Sequence, residues 1–555
     1  MRVLCLGIPF FCNESPVALY RGPHEVKTLG VGDTYDFAFD SEHETATQVV
    51  LRIARTWTPE LLLCWMPEAF PPPFGIEHAP LKTVALVSDW NVYYPVLATN
   101  LARYDLVLCD KPGTEALRST LVHPHHAMPL YSAITPLHRR LNEKKDIDVL
   151  FAGNLSPAAH RTRARYLERL APLLDRYRVV FAGGVFGEDY VRLLNRARLV
   201  FNHSIRGEMN LRVFETLACG STALLESGNL EVRDHLKPDE EIVLYDAGDF
   251  EERIIHLLEH PHEAQAIADC GHRRAAGLAG ENRLTALIDW AAREPSSGRL
   301  FHTVPEAERR YQDVLMYGQS RFAGHRVVAQ QMLNRLAGEH SKDPRVWTAA
   351  SGFISPPVDE IPPDRARNAL IKAHTLAPDS AIFALNAASA CLFCGDNDAA
   401  LEYLEKALQC DSLDGQTCLM GSVSQPFVVR WRRSVAEGTA STAMLRAETH
   451  IRTAHLLSAR GDLPGAETHA MAADALDPGN SGAVLLWANI LWVTGRKVEA
   501  AELLQRRLAD LPLDFEARQQ LCDMLADIGM REEALALART TLRIVRAFPD
   551  DPASL

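Results

Sequence analysis

NRARLVFNHSIRGEMNLRVFETLACGSTALLE, residues 195–226, decides how the rest of the chain is read. Leu199 to Asn202 is a short apolar run with the character of a buried strand. Leu211 to Ala218 carries apolar residues at helical spacing and is closed by Gly220. The polar loop between them and the first helical turn hold Arg206, Glu208, Asn210, Arg212 and Glu215, more charge than a core-facing segment tolerates without partners. In an open parallel sheet, ligands sit beyond the carboxyl ends of the strands, where helix N-termini offer free N–H groups and a partial positive charge. Phosphate suits that place. Arg212 is positioned to contact a phosphate oxygen, and Glu215, at i+3, to accept hydrogen bonds from ribose hydroxyls. The spacing alone fits an ordinary Arg212–Glu215 ion pair on a helix face equally well.

Glu208-x-Asn210-x-Arg212-x-Phe214-Glu215, followed by Thr-Leu-Ala-Cys-Gly, resembles the donor-site signature of CgeB-like glycosyltransferases, a group with the two-Rossmann GT-B fold. Glu208 stands where that family usually has Asp. Upstream, Asp148-Val-Leu-Phe-Ala-Gly153-Asn154 resembles the strand and glycine loop that open the family's second domain, and Arg161 and Arg163 resemble the basic residues that follow. Downstream, Glu240 to Tyr245 and the helix ending at Gly271 continue the likeness, while Gly280-Glu281-Asn282-Arg283 replaces the family's His-Thr-Tyr closing motif. The resemblance is densest from Asp146 to Arg283 and covers about the first half of the chain. It implies a nucleotide-sugar donor, UDP-linked, held by the second domain, with the acceptor entering from the first. The helix N-terminus and the arginines would stabilise the leaving diphosphate, so no metal is expected to be required.

The bulk composition narrows the class. At 555 residues the chain should hold about two to four domains, and 47% hydrophobic with 23% charged residues is ordinary for globular cores. A net charge of −13 argues against nonspecific nucleic-acid binding and against adhesion to anionic lipid. No apolar run is long enough to span a membrane. Met1 to Gly7 reads as a first Rossmann strand rather than an export signal. Eleven scattered cysteines fit reduced thiols in a cytoplasm. Cys391-Leu-Phe-Cys394 is the lone CxxC, lies inside a helical pattern, and reads as structural rather than metal-binding.

A first Rossmann-like domain is expected over 1–145, with strands at Leu61–Trp65, Thr83–Ser88 and Leu106–Cys109. Pro71 to Gly75 forms a loop past the first of these, and Glu68 beside it is a candidate acceptor contact. Asp89, at the end of the next strand, is the candidate base that takes the acceptor proton, although an Asp there is often only a helix cap. His123-Pro-His125-His126 lacks metal-ligand company and reads as the interdomain hinge. A second Rossmann-like domain is expected over 146–294. Its strand Asp148–Ala152 leads through Gly153 and Asn154 to a helix near Arg161 and Arg163, which would neutralise a diphosphate. Val179–Ala182 ends in Gly183-Gly184-x-x-Gly187, a loop placed beside the nucleotide base. Strands follow at Ala223–Glu226 and Glu241–Tyr245, with Ser227 to Asn229 at the sheet edge, helices over 250–258 and 262–271, and a closing helix over 283–293. Glu294-Pro-Ser-Ser-Gly298 has the composition of a linker, assigned to 295–304.

Beyond residue 300 the period changes. Gly395, Gly461, Gly495 and Gly529 each stand five residues before an alanine, namely Ala400, Ala466, Ala500 and Ala534, and the last three glycines are spaced by 34. Pro478 and Pro512 fall seventeen residues after their glycines. This is the tetratricopeptide pattern of paired helices, assigned to 305–555, with a possible first unit at Arg309 to Ala337 and a break over Asp411 to Thr442. Such solenoids bind proteins or peptides on a concave face, or serve as rigid spacers or dimer surfaces.

The expected architecture is therefore α/β plus all-α, a GT-B pair of Rossmann-like domains followed by a helical solenoid. The expected activity is sugar transfer from a nucleotide-sugar to an acceptor, a protein modified on Ser or Thr by analogy alone. A polysaccharide or small-glycoside transferase docked through its repeats, and an inactive scaffold, remain the alternatives.

Overall fold

The computed structural model describes residues 1–7, 20, 22–67, 70–88, 90, 97, 99–117, 125–127, 137–155, 161–278, 280–296, 299–318, 320–351, 363–410, 442–478 and 480–548. Asp89, Glu68 and nearly all of the Asp411–Thr442 break lie outside the described residues.

The first sheet holds seven parallel strands: β1 (Arg2–Leu6), β2 (Glu25–Gly30), β3 (Phe37–Ala38), β4 (Leu61–Trp65), β5 (Lys82–Leu86), β6 (Leu106–Cys109) and β7 (His125–Ala127). Their order is β3-β2-β1-β4-β5-β6-β7, so the chain winds outward from β1 in both directions, the doubly wound arrangement of a Rossmann sheet. Every residue of β4 is buried, as an apolar run covered on both faces must be. The segment read as a hinge, His125–His126, is part of β7 and pairs with Val107 and Leu108 of β6.

The second sheet is β8 (Ile147–Ala152), β9 (Val179–Ala182), β10 (Ala197–Phe201), β11 (Thr222–Glu226) and β12 (Val243–Tyr245), all parallel, in the order β12-β11-β10-β8-β9. The helix Gly280–Arg293 departs from the expected domain division. Its Leu284, Leu287, Ile288 and Ala291 are buried in one core with Leu61, Leu63, Val84 and Leu106 of the first sheet. Tyr20 meets Thr285 at 3.0 Å and His24 meets Asp289 at 3.0 Å on the same helix. The apolar stripe of a helix needs a sheet face to cover it, and this one uses the earlier sheet.

The expected linker is pinned rather than free. Arg299 donates to Asp105 Oδ2 at 2.9 Å and to the carbonyls of Glu77, Ala79 and Leu81. Lys82 Nζ donates to the carbonyls of Ala291 and Glu294, and Phe301 is buried with the Arg103 guanidinium 3.5 Å from its ring centroid. Pro, Ser and Gly there mark irregular backbone, whose polar groups are satisfied by side chains of the first domain.

The remainder is helical hairpins. Ala381–Phe393 pairs with Asn397–Gln409, Thr442–Ala459 with Leu463–Leu476, Ser481–Val493 with Lys497–Asp510, and Phe515–Asp527 with Arg531–Val545. Gly395, Gly461, Gly495 and Gly529 take φ of 76°, 82°, 86° and 87° in the turns, a left-handed conformation that β-carbon-bearing residues reach only at a cost. Ala400, Ala466, Ala500 and Ala534 are buried where the helices cross. The hairpin Glu306–Gly318 and Ala323–Glu339 sits on the first domain. There Arg103 pairs with Glu77 and Asp313, and Tyr317 and His325 pack on Phe74. At the other end Phe548 stacks on Phe181 of β9 with centroids 4.6 Å apart, and the Phe181 N–H donates to the Ala547 carbonyl at 2.7 Å. The repeats thus touch both Rossmann domains. No helix among the described residues is long and apolar enough to cross a membrane.

Candidate functional site

The loop between β10 and the helix Leu211–Ala218 is built by its own polar groups. Glu208 accepts from the Ile205 N–H at 3.2 Å and the Arg206 N–H at 2.8 Å. Asn229 donates to the Glu208 carbonyl at 2.9 Å and to Glu226 Oε1 at 3.1 Å, and Glu226 also accepts from Ser204. Glu208, expected as a ligand contact, is 7% exposed and holds the loop in shape. Asn229, expected at the sheet edge, is buried, and its Oδ1 accepts from the N–H groups of Glu231 and Val232.

Arg212 reaches from the helix to the first strand of the sheet. Its Nε donates to the Ala152 carbonyl at 2.6 Å, one NH donates to Asn202 Oδ1 at 2.5 Å, and the guanidinium lies 4.6 Å from the Phe151 ring centroid. Its second terminal nitrogen has no hydrogen bond among the described residues and lies against Gly153, where a Cβ would fall 2.1 Å from it. Glycine at 153 is what lets the guanidinium occupy that turn. Asn210 stands at the N-cap without a side-chain cap bond, so the Leu211 and Arg212 N–H groups have no partner among the described residues, and its amide donates to Asn202 Oδ1 at 3.1 Å. Asn210 Oδ1 is buried and unpartnered among the described residues. An orphaned acceptor, an open helix N-terminus and a free arginine nitrogen converge here.

Glu215 is not paired with Arg212. Its two oxygens meet the Tyr190 hydroxyl at 2.8 Å and His138 Nε2 at 3.4 Å, and it is 8% exposed. Burial pushes its carboxyl above the usual range, opposed by the Tyr190 hydrogen bond and the Arg212 charge. Arg163 is buried as well, donates to the Asn154 carbonyl at 2.7 Å and lies 5.1 Å from the Phe151 ring centroid, so it braces the Gly153–Asn154 turn. The backbone of Arg161 opens the helix Arg161–Leu170, while its side chain lies outside the described residues. Gly183 and Gly184 are exposed in the loop after β9, beside Phe186, which is 82% exposed.

Across the cleft, the first domain presents residues at the carboxyl ends of β5 and β6. The Arg206 guanidinium lies 4.5 Å from the Trp90 ring centroid. Lys111 donates through its N–H to Glu231 at 2.9 Å and through Nζ to Asp234 at 3.0 Å. Asp110 accepts from Trp90 Nε1 at 3.0 Å and from the Gly113 N–H at 2.5 Å. Burial pushes the Asp110 carboxyl up to about 7, with Arg206 opposing and Glu208 and Glu231 adding to the rise. A carboxyl raised towards neutrality suits proton transfer where a substrate reaches it, and Asp110 is 4% exposed. Sequence reasoning passed over Asp110, although the rule that chose Asp89, an Asp closing an apolar strand, applies equally to Leu106–Asp110. Among the described residues no group of three or more His, Cys, Asp or Glu is placed to hold a metal ion.

Residues 134–289 match the family model described as Glycosyl transferase-like, a span that holds the whole second sheet and the Arg212 helix. A search of curated sequences finds no match. Among solved structures, the chain is similar to sucrose-phosphate synthase from Thermosynechococcus elongatus at 12% identity, over 53% of this chain and 98% of that one, with a TM-score of 0.36. The pneumococcal O-GlcNAc transferase GtfA, solved with UDP and GlcNAc, is similar at 11% identity over 42% of this chain and 57% of that one, with a TM-score of 0.30. YrrB, a TPR protein, is similar at 15% identity over 38% of this chain and 91% of that one, with a TM-score of 0.28.

Proposed function

We propose that the chain, whose residues 134–289 match the family model described as Glycosyl transferase-like and which is read as CgeB-like, moves a sugar from a UDP-linked donor to a Ser or Thr hydroxyl of a protein held by the helical repeats. The observation that carries the reading is the Arg212 nitrogen left open against Gly153, at the mouth of the helix Leu211–Ala218. Arg212, Arg161 and that helix N-terminus stabilise the negative charge that builds on the diphosphate as the glycosidic bond breaks, so a metal is not needed for this role. Gly153 and Asn154 bring the backbone close to the phosphates, and Arg163 holds that turn. Gly183 and Gly184 flank the base, with the exposed Phe186 ring free to stack on it. Glu208 and Asn210 shape the loop. Glu215 meets the ribose once Tyr190 and His138 yield one of its oxygens. Asp89 takes the acceptor proton, and Asp110 is the second candidate for that step.

The docking of the repeats on both Rossmann domains favours a second reading, in which they are structural and the acceptor is a polysaccharide or small glycoside. Thermal stabilisation and hydrolysis of UDP-, GDP-, dTDP- and ADP-sugars test the activity. One donor class should raise the melting temperature and be slowly hydrolysed. A protein indifferent to all four is a scaffold, and the proposal fails.

A further inference from the structure

A cavity of about 760 Å³ opens between the second Rossmann domain and the repeats, and none of the residues given to the donor above lines it. One wall is the latter half of the helix Arg161–Leu170, and the other is formed by the ends of the helices Leu463–Leu476 and Lys497–Asp510. Several of its charges are already satisfied. Arg169 pairs with Glu251, Arg507 with Asp514, and Glu168 accepts from the Leu513 N–H. Four are not. Among the described residues Arg165, Arg506, Asp474 and Asp510 make no hydrogen bond and no ion pair, although all four face this one space.

Two solvent-exposed guanidinium groups from separate units line this one cavity, and a phosphate matches their forked donors. Two open carboxylates in the same space would repel a bare phosphate, yet each accepts hydrogen bonds from hydroxyls. A molecule carrying both groups satisfies both sets, and the volume lies in the range of small-molecule sites, roughly 300–1,000 Å³. We propose that this cavity binds a phosphorylated sugar, with the phosphate on Arg165 and Arg506 and the sugar hydroxyls on Asp474 and Asp510. The site is separate from the cleft and stands whether or not the donor assignment does.

Calorimetric titration of the full chain with glucose 6-phosphate, N-acetylglucosamine 1-phosphate and ribose 5-phosphate tests it, with inorganic phosphate and glucose as separate arms. At least one sugar phosphate should bind with unit stoichiometry, and roughly tenfold or more tighter than inorganic phosphate, as hydrogen bonds to charged groups allow. Arg506→Glu and the milder Arg506→Gln should each weaken that binding by about tenfold or more. Asp510→Asn should weaken the sugar phosphate and spare inorganic phosphate. Arg506 and Asp510 are exposed, so unchanged far-UV circular dichroism is expected in these variants. Arg212→Ala, which removes the donor contact, should leave the titration unaltered. No binding by any of the three sugar phosphates overturns the proposal. So does full affinity in both Arg506 variants, or loss of binding in Arg212→Ala, which would move the ligand to the cleft.

Discussion

The Arg206 guanidinium, just past the end of β10, lies 4.5 Å from the ring centroid of Trp90, four residues past the end of β5. The carboxyl ends of the two sheets therefore meet across this pair, which is where an open α/β fold places its ligands. A double-mutant cycle of Arg206→Met and Trp90→Leu should return a coupling of about 0.5–2 kcal/mol in unfolding free energy. Strict additivity would mean the two domains do not close on each other at this point.

Gly153 and Arg212 give a second test. A Cβ at 153 falls 2.1 Å from the arginine nitrogen, so Gly153→Ala must displace the guanidinium. Arg212→Ala and Gly153→Ala should each weaken nucleotide binding by about 1.5–3 kcal/mol, the worth of a charged hydrogen bond, with the fold intact by circular dichroism. Full affinity in both would remove the site as described.

Asp89→Asn and Asp110→Asn separate the two candidate bases. The true base should lose roughly 10²–10⁴ in turnover while donor affinity stays, and the other should lose far less. Asp110 also predicts a pH effect. Its folded-state carboxyl is raised from 3.8 to about 7, so between these values the folded protein holds a proton that the unfolded chain releases. Its stabilising contribution is full below pH 3.8 and is lost as pH rises to about 7. In Asp110→Asn that part of the slope should vanish from melting temperatures taken across the window.

His325 acts in the opposite sense. It is wholly buried between Phe39, Phe74, Tyr317 and Phe322, and burial holds it down from 6.5 to about 3. The unfolded chain takes up its proton first, so stability falls as pH drops from 6.5 towards 3. His325→Phe should flatten that acid limb, measured by calorimetric melting. An unchanged limb would assign it to other groups.

What the sequence disclosed, and what it hid, follows one physical line. The unit from β10 through the helix Leu211–Ala218 was legible because its signals are local: an apolar run, a polar loop, helical spacing and a closing glycine. The repeats were legible for the same reason, each glycine turn and crossing alanine recurring at a fixed offset. Partners distant in the chain were not. Glu215 pairs with Tyr190 and His138 instead of the neighbouring Arg212, and no spacing rule points there. The helix Gly280–Arg293 shows an apolar stripe in sequence, but nothing in the stripe names the sheet that it covers. β2 and β3 escaped because Glu25-Val-Lys-Thr-Leu-Gly is half polar and Phe37–Ala38 is only two residues long, as suits one flank of a sheet. The pinned linker was misread because Arg299 gathers carbonyls more than two hundred residues earlier.

Removal of residues 301–555 should leave the Rossmann pair aggregation-prone. It would bare Phe39 and Phe74, and strip the buried Arg103 of Asp313 and of the Phe301 ring. Arg103 keeps Glu77 and Asn100 within the first domain, so the larger effect is the aromatic surface laid bare. Size-exclusion chromatography of the truncated protein should show aggregates. A monodisperse truncated protein with full nucleotide affinity would make the repeats dispensable to the fold.

The seal that Ala547 and Phe548 place on β9 has a consequence for biosynthesis. Glu168 meets the Leu513 N–H that is made 345 residues later, and at about 5–20 residues per second that interval lasts roughly 20–70 s. For that time the outer edge of β9, with the Phe181 N–H and ring uncovered, emerges from the ribosome as an open strand, the kind of surface on which neighbouring nascent chains pair. A ribosome paused ahead of the later repeats therefore holds a second domain whose sheet is complete in its strands but open at its edge, and holdase capture should peak over that interval of translation.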